Sequence, residues 1–113
     1  MSHAGKLEGK TAIITGAGLG LGEGIARKFV EEGASVLLFE INAENGQRVA
    51  DSLPKGTAAF FAGDVTIQEH WKDALKTCLE TFGRLDIVVN NAGVVHRSAV
   101  CAELPLLAAS PNH

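Results

Sequence analysis

Residues 11–40 read TAIITGAGLGLGEGIARKFVEEGASVLLFE, two short apolar runs separated by a turn with glycine at every second position and by an amphipathic segment. Six glycines fall in this stretch, and five of them, Gly16, Gly18, Gly20, Gly22 and Gly24, follow the first apolar run directly. A chain that leaves a strand and turns at once into a helix needs positive φ angles, which glycine adopts at little cost. It also needs backbone bare enough for a ligand to approach the amides at the helix N-terminus, where the helix dipole favours negative charge. The apolar positions Leu21, Ile25, Ala26, Phe29 and Val30 form a helical stripe that stops at Gly33. Either Gly22 or Gly24 would let that helix lie close on a sheet.

The same alternation continues along the chain. TAIIT (11–15), SVLLF (35–39), TAAFFA (57–62) and LDIVV (85–89) are continuous apolar runs of buried-strand length. Between the second and third runs, Asn42 can cap a helix with inward positions Gly46, Val49, Ala50 and Leu53, ended by Pro54 and Gly56. Between the third and fourth, Thr66-Ile-Gln-Glu69 has the spacing of a capping box. It precedes an apolar stripe at Trp71, Ala74, Leu75, Cys78, Leu79 and Phe82, stopped by Gly83. The order β-α-β-α-β-α-β predicts an α/β fold, a doubly wound parallel sheet with helices on both faces. Right-handed crossovers carry strands one to three in one direction, so the fourth returns beside the first. The expected strand order is 3-2-1-4, with a ligand site beyond the carboxyl ends of strands one and four.

Composition excludes several other roles. The 113 residues carry a net charge of −3, with 46% apolar and 20% charged residues. There is no basic stripe to attract a phosphate backbone, so nucleic acid is not an expected partner. No apolar run reaches the roughly 18 residues of a membrane-spanning helix. The first residues lack the apolar core of a leader, which makes the expected location cytoplasmic. The cysteines, Cys78 and Cys101, and the four scattered histidines give no metal-ligand spacing, and no metal site is expected. Cys78 lies on the helical stripe and reads as a small core residue.

Glu40 follows Gly22 by 18 residues at the tip of the second strand. An acid there can accept a hydrogen bond from the ribose 2′-hydroxyl of an adenosine; a solvated carboxylate at a strand end is the plainer reading. Three motifs then stand together: Thr15-Gly16-x-x-x-Gly20-x-Gly22, Asp64-Val65 after the third strand, and Asn90-Asn91-Ala92-Gly93 after the fourth. With Leu7-Glu-Gly-Lys10 ahead of the first strand, they resemble the short-chain dehydrogenase/reductase family over residues 6–95. The resemblance implies a Rossmann-like fold, truncated to its NAD(P)-binding half (residues 1–95), followed by an irregular tail (96–113) that does not match the family.

By the same resemblance, the backbone from Gly16 through Leu19, Gly20 and Leu21 to Gly22 faces the diphosphate and the nicotinamide-side ribose of a dinucleotide. Asp64 and Val65 would hold the adenine, where Asp64 can equally be a turn aspartate. Asn91, Ala92 and Gly93 would lie along the adenosine ribose, where sheet bracing by Asn90 and Asn91 is as good a reading. Relatives that prefer NADP carry basic residues in the glycine turn or just after strand two. Here those positions hold Ala17, Gly18, Leu19 and Ile41, and the carboxylate of Glu40 would repel a 2′-phosphate. The expected cofactor is NAD, with NADP disfavoured.

The family's proton transfer relies on a Tyr-x-x-x-Lys pair, which implies an oxidoreductase of secondary alcohols and ketones. This sequence contains no tyrosine, and its lysines end at Lys76. His96 and Ser98 have no partner base in the sequence, so no catalytic residue is assigned. The expected chain is inactive by itself, either a silent dinucleotide-binding module or the product of a gene whose frame or splicing diverges after His96. An uncovered fourth strand would leave an edge open to self-association and the fold marginally stable.

Overall fold

A computed structural model describes residues 5–91. Ala92, Gly93, His96, Ser98, Cys101 and the 96–113 tail lie outside the described residues. Seven elements follow in order: β1 (Thr11–Thr15), α1 (Gly20–Glu31), β2 (Ser35–Glu40), α2 (Ala43–Ser52), β3 (Ala58–Ala62), α3 (Gln68–Phe82) and β4 (Ile87–Val89). The strands form one parallel sheet in the order β3-β2-β1-β4. In register, Ile13 stands between Leu37 of β2 and Val88 of β4.

Alternation along the two central strands builds two cores, because successive side chains point to opposite faces. Ala12, Ile14, Val36 and Leu38 face α1 and α2, where Ala26 and Val49 are buried against them. Ile13, Leu37 and Phe39 face α3, where Trp71, Ala74 and Cys78 close over them. The helices therefore divide between the faces as the crossover rule requires. All five residues of β1 are buried. Each large apolar side chain fully buried here contributes about 1.5–3 kcal/mol before entropy is counted. Phe39 adds edge contacts, its ring centroid 4.7 Å from Trp71 and 5.3 Å from Phe61. Burial also pushes the Cys78 thiol up to about 11, with the Asp86 charge acting in the same direction. That fits an unreactive core residue.

Several local expectations are corrected. The capping box does not form: Ile67 is the N-cap of α3 and supplies no side-chain bond. The helix starts one residue later than a Thr66 cap requires, and the Thr66 hydroxyl donates to Asp64 Oδ1 at 2.6 Å in the turn before it. Leu79 is exposed rather than part of the buried stripe, and so is Leu21 on α1. Two strands are shorter than their apolar runs, with β3 starting at Ala58 and β4 at Ile87. At β4 the reason is visible: the Thr11 amide donates to the Asp86 carboxylate (2.9 Å), while the Asp86 amide donates to the Thr11 carbonyl (2.9 Å). A side chain thus replaces the next rung of the ladder. Between the two candidate packing glycines, Gly22 is the one in close contact, against the turn that leaves β1. A Cβ there would stand 1.9 Å from the Gly16 carbonyl oxygen, whereas one on Gly24 would meet nothing within 4 Å.

Two predictions follow from this packing. A Cβ on Gly46 would stand 2.2 Å from the Phe60 ring. Gly46→Ala should lower the thermal midpoint, since overpacking costs about 1–3 kcal/mol and outweighs the helix-propensity gain. Gly24→Ala, exposed and uncrowded, should raise it by the equivalent of about 0.5–1 kcal/mol. The second concerns acid. The Arg84 guanidinium, and then the Thr11 amide, hold the Asp86 carboxyl below its ordinary range. Folding therefore favours the ionised form, and that stability is complete above the ordinary value and lost as pH falls through the lower folded-state value. Asp86→Asn should unfold more easily than the unmutated chain near neutral pH, with the difference shrinking as acid takes the pH below the ordinary carboxylate range. Urea midpoints measured across that range check it.

Candidate functional site

The glycine turn joins the carboxyl end of β1 to α1, beside the ends of β2 and β4. Gly16 adopts φ +63° and donates its amide to the Phe39 carbonyl at 3.0 Å, which anchors the turn to β2. Gly20, at φ +57°, opens α1, and a Cβ there would meet nothing within 4 Å. Leu19, the N-cap, gives the helix no side-chain bond. At the start of α1, the Glu23 amide donates to the Leu19 carbonyl at 3.3 Å. Gly20 and Leu21 are exposed at this helix start, where backbone amides ordinarily lack intrahelical partners and can serve an anion, whereas Gly22 is buried.

Glu40 lies at the end of β2, and its carboxylate is already engaged. Oε1 accepts the Gly18 amide at 2.9 Å, and Oε2 accepts the Asn42 amide at 3.0 Å. Asn42 in turn caps α2, its side chain accepting from the Asn45 amide at 2.8 Å. A Cβ on Gly18 would stand 2.7 Å from Asn45 Cβ and 3.0 Å from Glu40 Cδ, so only glycine fits where the turn meets the acid. These bonds orient the Glu40 carboxylate and leave it lone pairs for hydroxyl donors, since each oxygen can accept more than one.

A cation missing from the sequence reading completes this corner. Arg48 Nη2 on α2 donates to the Gly18 carbonyl at 2.8 Å and to Glu23 Oε1 at 3.2 Å. Glu23 Oε2 also accepts from Arg27 at 2.7 Å, and Arg27 reaches Ser52 Oγ at 2.7 Å. The Arg27 contact, then that of Arg48, holds the Glu23 carboxyl below its ordinary range. The Glu23–Arg27 pair has the i, i+4 spacing a sequence can reveal. Arg48 has no such signature, being 30 residues from Gly18.

On the other side, Asn91 Nδ2 donates to the Gly16 carbonyl at 3.3 Å, and the Thr15 hydroxyl donates to Asn90 Oδ1 at 3.1 Å. Both asparagines therefore tie the end of β4 to the end of β1. Beyond β3, the Thr66 hydroxyl and then its amide hold the Asp64 carboxyl below its ordinary range. The Asp64 amide donates to His70 Nδ1 at 2.9 Å, which requires that nitrogen to be unprotonated. Trp71 Nε1 donates to the Val65 carbonyl at 2.8 Å, pinning the loop to α3. Three large apolar side chains on these segments stay in water: Leu19 (60% exposed), Leu21 (72%) and Ile41 (68%). The structure thus joins Gly16, Gly18, Gly22, Glu40 and Asn91 in one mouth, with Asp64 and Val65 on the loop after β3. Ala92 and Gly93 lie outside the described residues. Among the described residues, no group of three or more His, Cys, Asp or Glu side chains could hold a metal, and no helix is long and apolar enough to cross a membrane.

Comparison with known proteins accounts for this arrangement. Residues 10–107 match the family model described as short chain dehydrogenase. Short-chain dehydrogenase reductase 3a of Arabidopsis thaliana is 39% identical over 101 residues, covering 89% of this chain and 39% of the relative. A hydroxysteroid dehydrogenase structure from Escherichia coli superposes with a TM-score of 0.74 at 40% identity, over 78% of this chain and 38% of that one. A 3-ketoacyl-(acyl-carrier-protein) reductase from Brucella melitensis, solved in complex with NADH, gives a TM-score of 0.71 at 37% identity, over 74% and 34%. The chain thus spans between a third and two-fifths of the length of these relatives. With the glycine turn, the acid at the end of β2 and the asparagine pair all in place on a 3-2-1-4 sheet, the chain belongs to the short-chain dehydrogenase family.

Proposed function

We propose that this chain binds NAD in preference to NADP, as the dinucleotide-binding part (residues 1–95) of an oxidoreductase acting on a secondary alcohol or ketone. The observation that carries the reading is the Gly18–Glu40 contact beside the amides at the exposed start of α1, those of Gly20 and Leu21. Those amides and the dipole of α1 suit a diphosphate. Glu40, held by two backbone donors, would accept ribose hydroxyls and repel a 2′-phosphate. Asp64 and Val65 would take the adenine edge, and Asn91, Ala92 and Gly93 would line the adenosine ribose. Leu19, Leu21 and Ile41, exposed on the rim, offer apolar surface for the cofactor's flat rings. The Brucella reductase solved with NADH supports the ligand class.

Bound nicotinamide would supply hydride transfer. Proton transfer needs a group of suitable pKa next to the reacting oxygen. The 113 residues contain no tyrosine and no lysine after Lys76, so we propose that they bind dinucleotide without turning over substrate. Calorimetry tests both points. NAD should bind at least about tenfold tighter than NADP, Glu40→Ala should narrow that ratio, and no NADH should form with secondary alcohols. NADP binding more tightly than NAD would overturn the cofactor choice.

We also propose self-association through the outer edge of β4. Its three residues pair only with β1 among the described strands, and Ile87 and Val89 remain half-buried. Unpaired apolar edges recruit further strands. Sedimentation velocity should show the mean mass rising with concentration, and Val89→Lys should suppress the rise. A single monomeric species across the range would refute it.

A further inference from the structure

Gly18 is held from both ends of its backbone by opposite charges. Its amide is bound to Glu40 at 2.9 Å and its carbonyl to the Arg48 guanidinium at 2.8 Å. One carboxylate and one cation therefore share a single residue of the turn as their common anchor. Arg48 arrives from the first turns of α2, which Asn42 caps and Asn45 packs against Gly18, so its position is built into the helix start. It is about half exposed, and its remaining N–H groups can reach a further acceptor. Its partner Glu23 is shared with Arg27, so Glu23 does not depend on Arg48 for neutralisation.

We propose that Arg48 is a specificity-determining residue of the adenosine end, a latent partner for a 2′-phosphate whose use is blocked by the carboxylate of Glu40. The inference rests on the dinucleotide reading above. If Glu40 receives the ribose hydroxyl, the 2′ position lies beside Gly18, and the guanidinium lies just across that residue. With Glu40 present, a 2′-phosphate meets a carboxylate before it meets a cation. With Glu40 removed, the Gly18 amide and the Arg48 guanidinium both become donors to the phosphate, and guanidinium–phosphate bonds are among the stronger charge-assisted pairs. Arg48 has a second effect. The C=O and N–H of a trans peptide point in opposite directions. By drawing the Gly18 carbonyl toward α2, it turns the Leu19 amide the other way, away from that helix.

The test uses adenosine 5′-monophosphate and adenosine 2′,5′-bisphosphate as probes, with binding measured by calorimetry on the unmutated chain, Glu40→Ala, Arg48→Met and the double variant. Glu40→Ala should gain about tenfold or more in affinity for the bisphosphate, and Arg48→Met in that background should remove most of the gain. Monophosphate affinity should change by much less than the bisphosphate gain. Arg27→Met, which loosens the same Glu23 without touching Gly18, should leave the gain intact. Arg48→Lys serves if Arg48→Met unfolds, and it should retain part of the gain through its charge. Bisphosphate binding to Glu40→Ala that is indifferent to Arg48 would overturn this inference while leaving the NAD reading standing. Failure of the unmutated chain to bind either NAD or the monophosphate would overturn both.

Discussion

The parallel pairings of β1 with β2 on one side and β4 on the other determine where everything else in the molecule can stand. Each strand leaves the sheet at the same end, and the chain must then cross back over one face or the other. Because β2 and β4 lie on opposite sides of β1, their crossovers diverge, with α1 over one face and α3 over the other. A cleft opens at the divergence, and the residues at its lip are those that immediately follow the strands. Gly16 anchors to β2 through the Phe39 carbonyl, and Asn91 on the far side reaches back to Gly16. The site is thus a consequence of strand order before it is a property of any side chain. β1, buried along its whole length, stands inside that order between β2 and β4.

Within this frame, the glycines have distinct duties. Gly22 permits contact, because a side chain would strike the Gly16 carbonyl. Gly20 permits conformation, at φ +57° with open space around it. Gly18 permits both a close fit to Asn45 and a backbone bonded on two sides by Glu40 and Arg48. Spacing alone could not separate these roles, and it left Gly22 and Gly24 as equal candidates for the packing position.

Most of the fold was legible because buried parallel strands need continuous apolar runs and nothing else competes for those residues. Strand order followed from handedness, a constraint that needs no side-chain detail. Failures arose where a polar group had two available partners or where an apolar residue had a second use. Thr66 had the spacing to cap α3, yet the helix starts one residue later, at an Ile67 N-cap, and Thr66 is held in the preceding turn by Asp64. Asp86 looked like part of a strand, but its carboxylate took the Thr11 amide and shortened the ladder. Leu21 sits at a helical position that periodicity assigns to the core, yet it stands in the first turn of α1 and is 72% exposed. Arg48 left no mark on the sequence pattern, being 30 residues from Gly18, yet α2 brings its guanidinium to that carbonyl.

These second uses gather at one end of the sheet, and the reason is energetic. A side chain in the core has a single favourable destination, so its pattern is simple and readable. A side chain at the mouth must satisfy the protein while keeping capacity for a ligand. Glu40 does this by spending one lone pair of each oxygen on backbone amides, which fixes the carboxylate before any ligand arrives. A flexible acid at the same position would lose rotamer freedom on binding, at about 0.5–1.5 kcal/mol for an ordered side chain. The contacts that make Glu40 resemble an ordinary strand-end carboxylate are therefore those that would prepare it for a ribose. The two readings that the sequence left open are thus compatible in one residue, because the backbone bonds of the first leave free the lone pairs that the second would use.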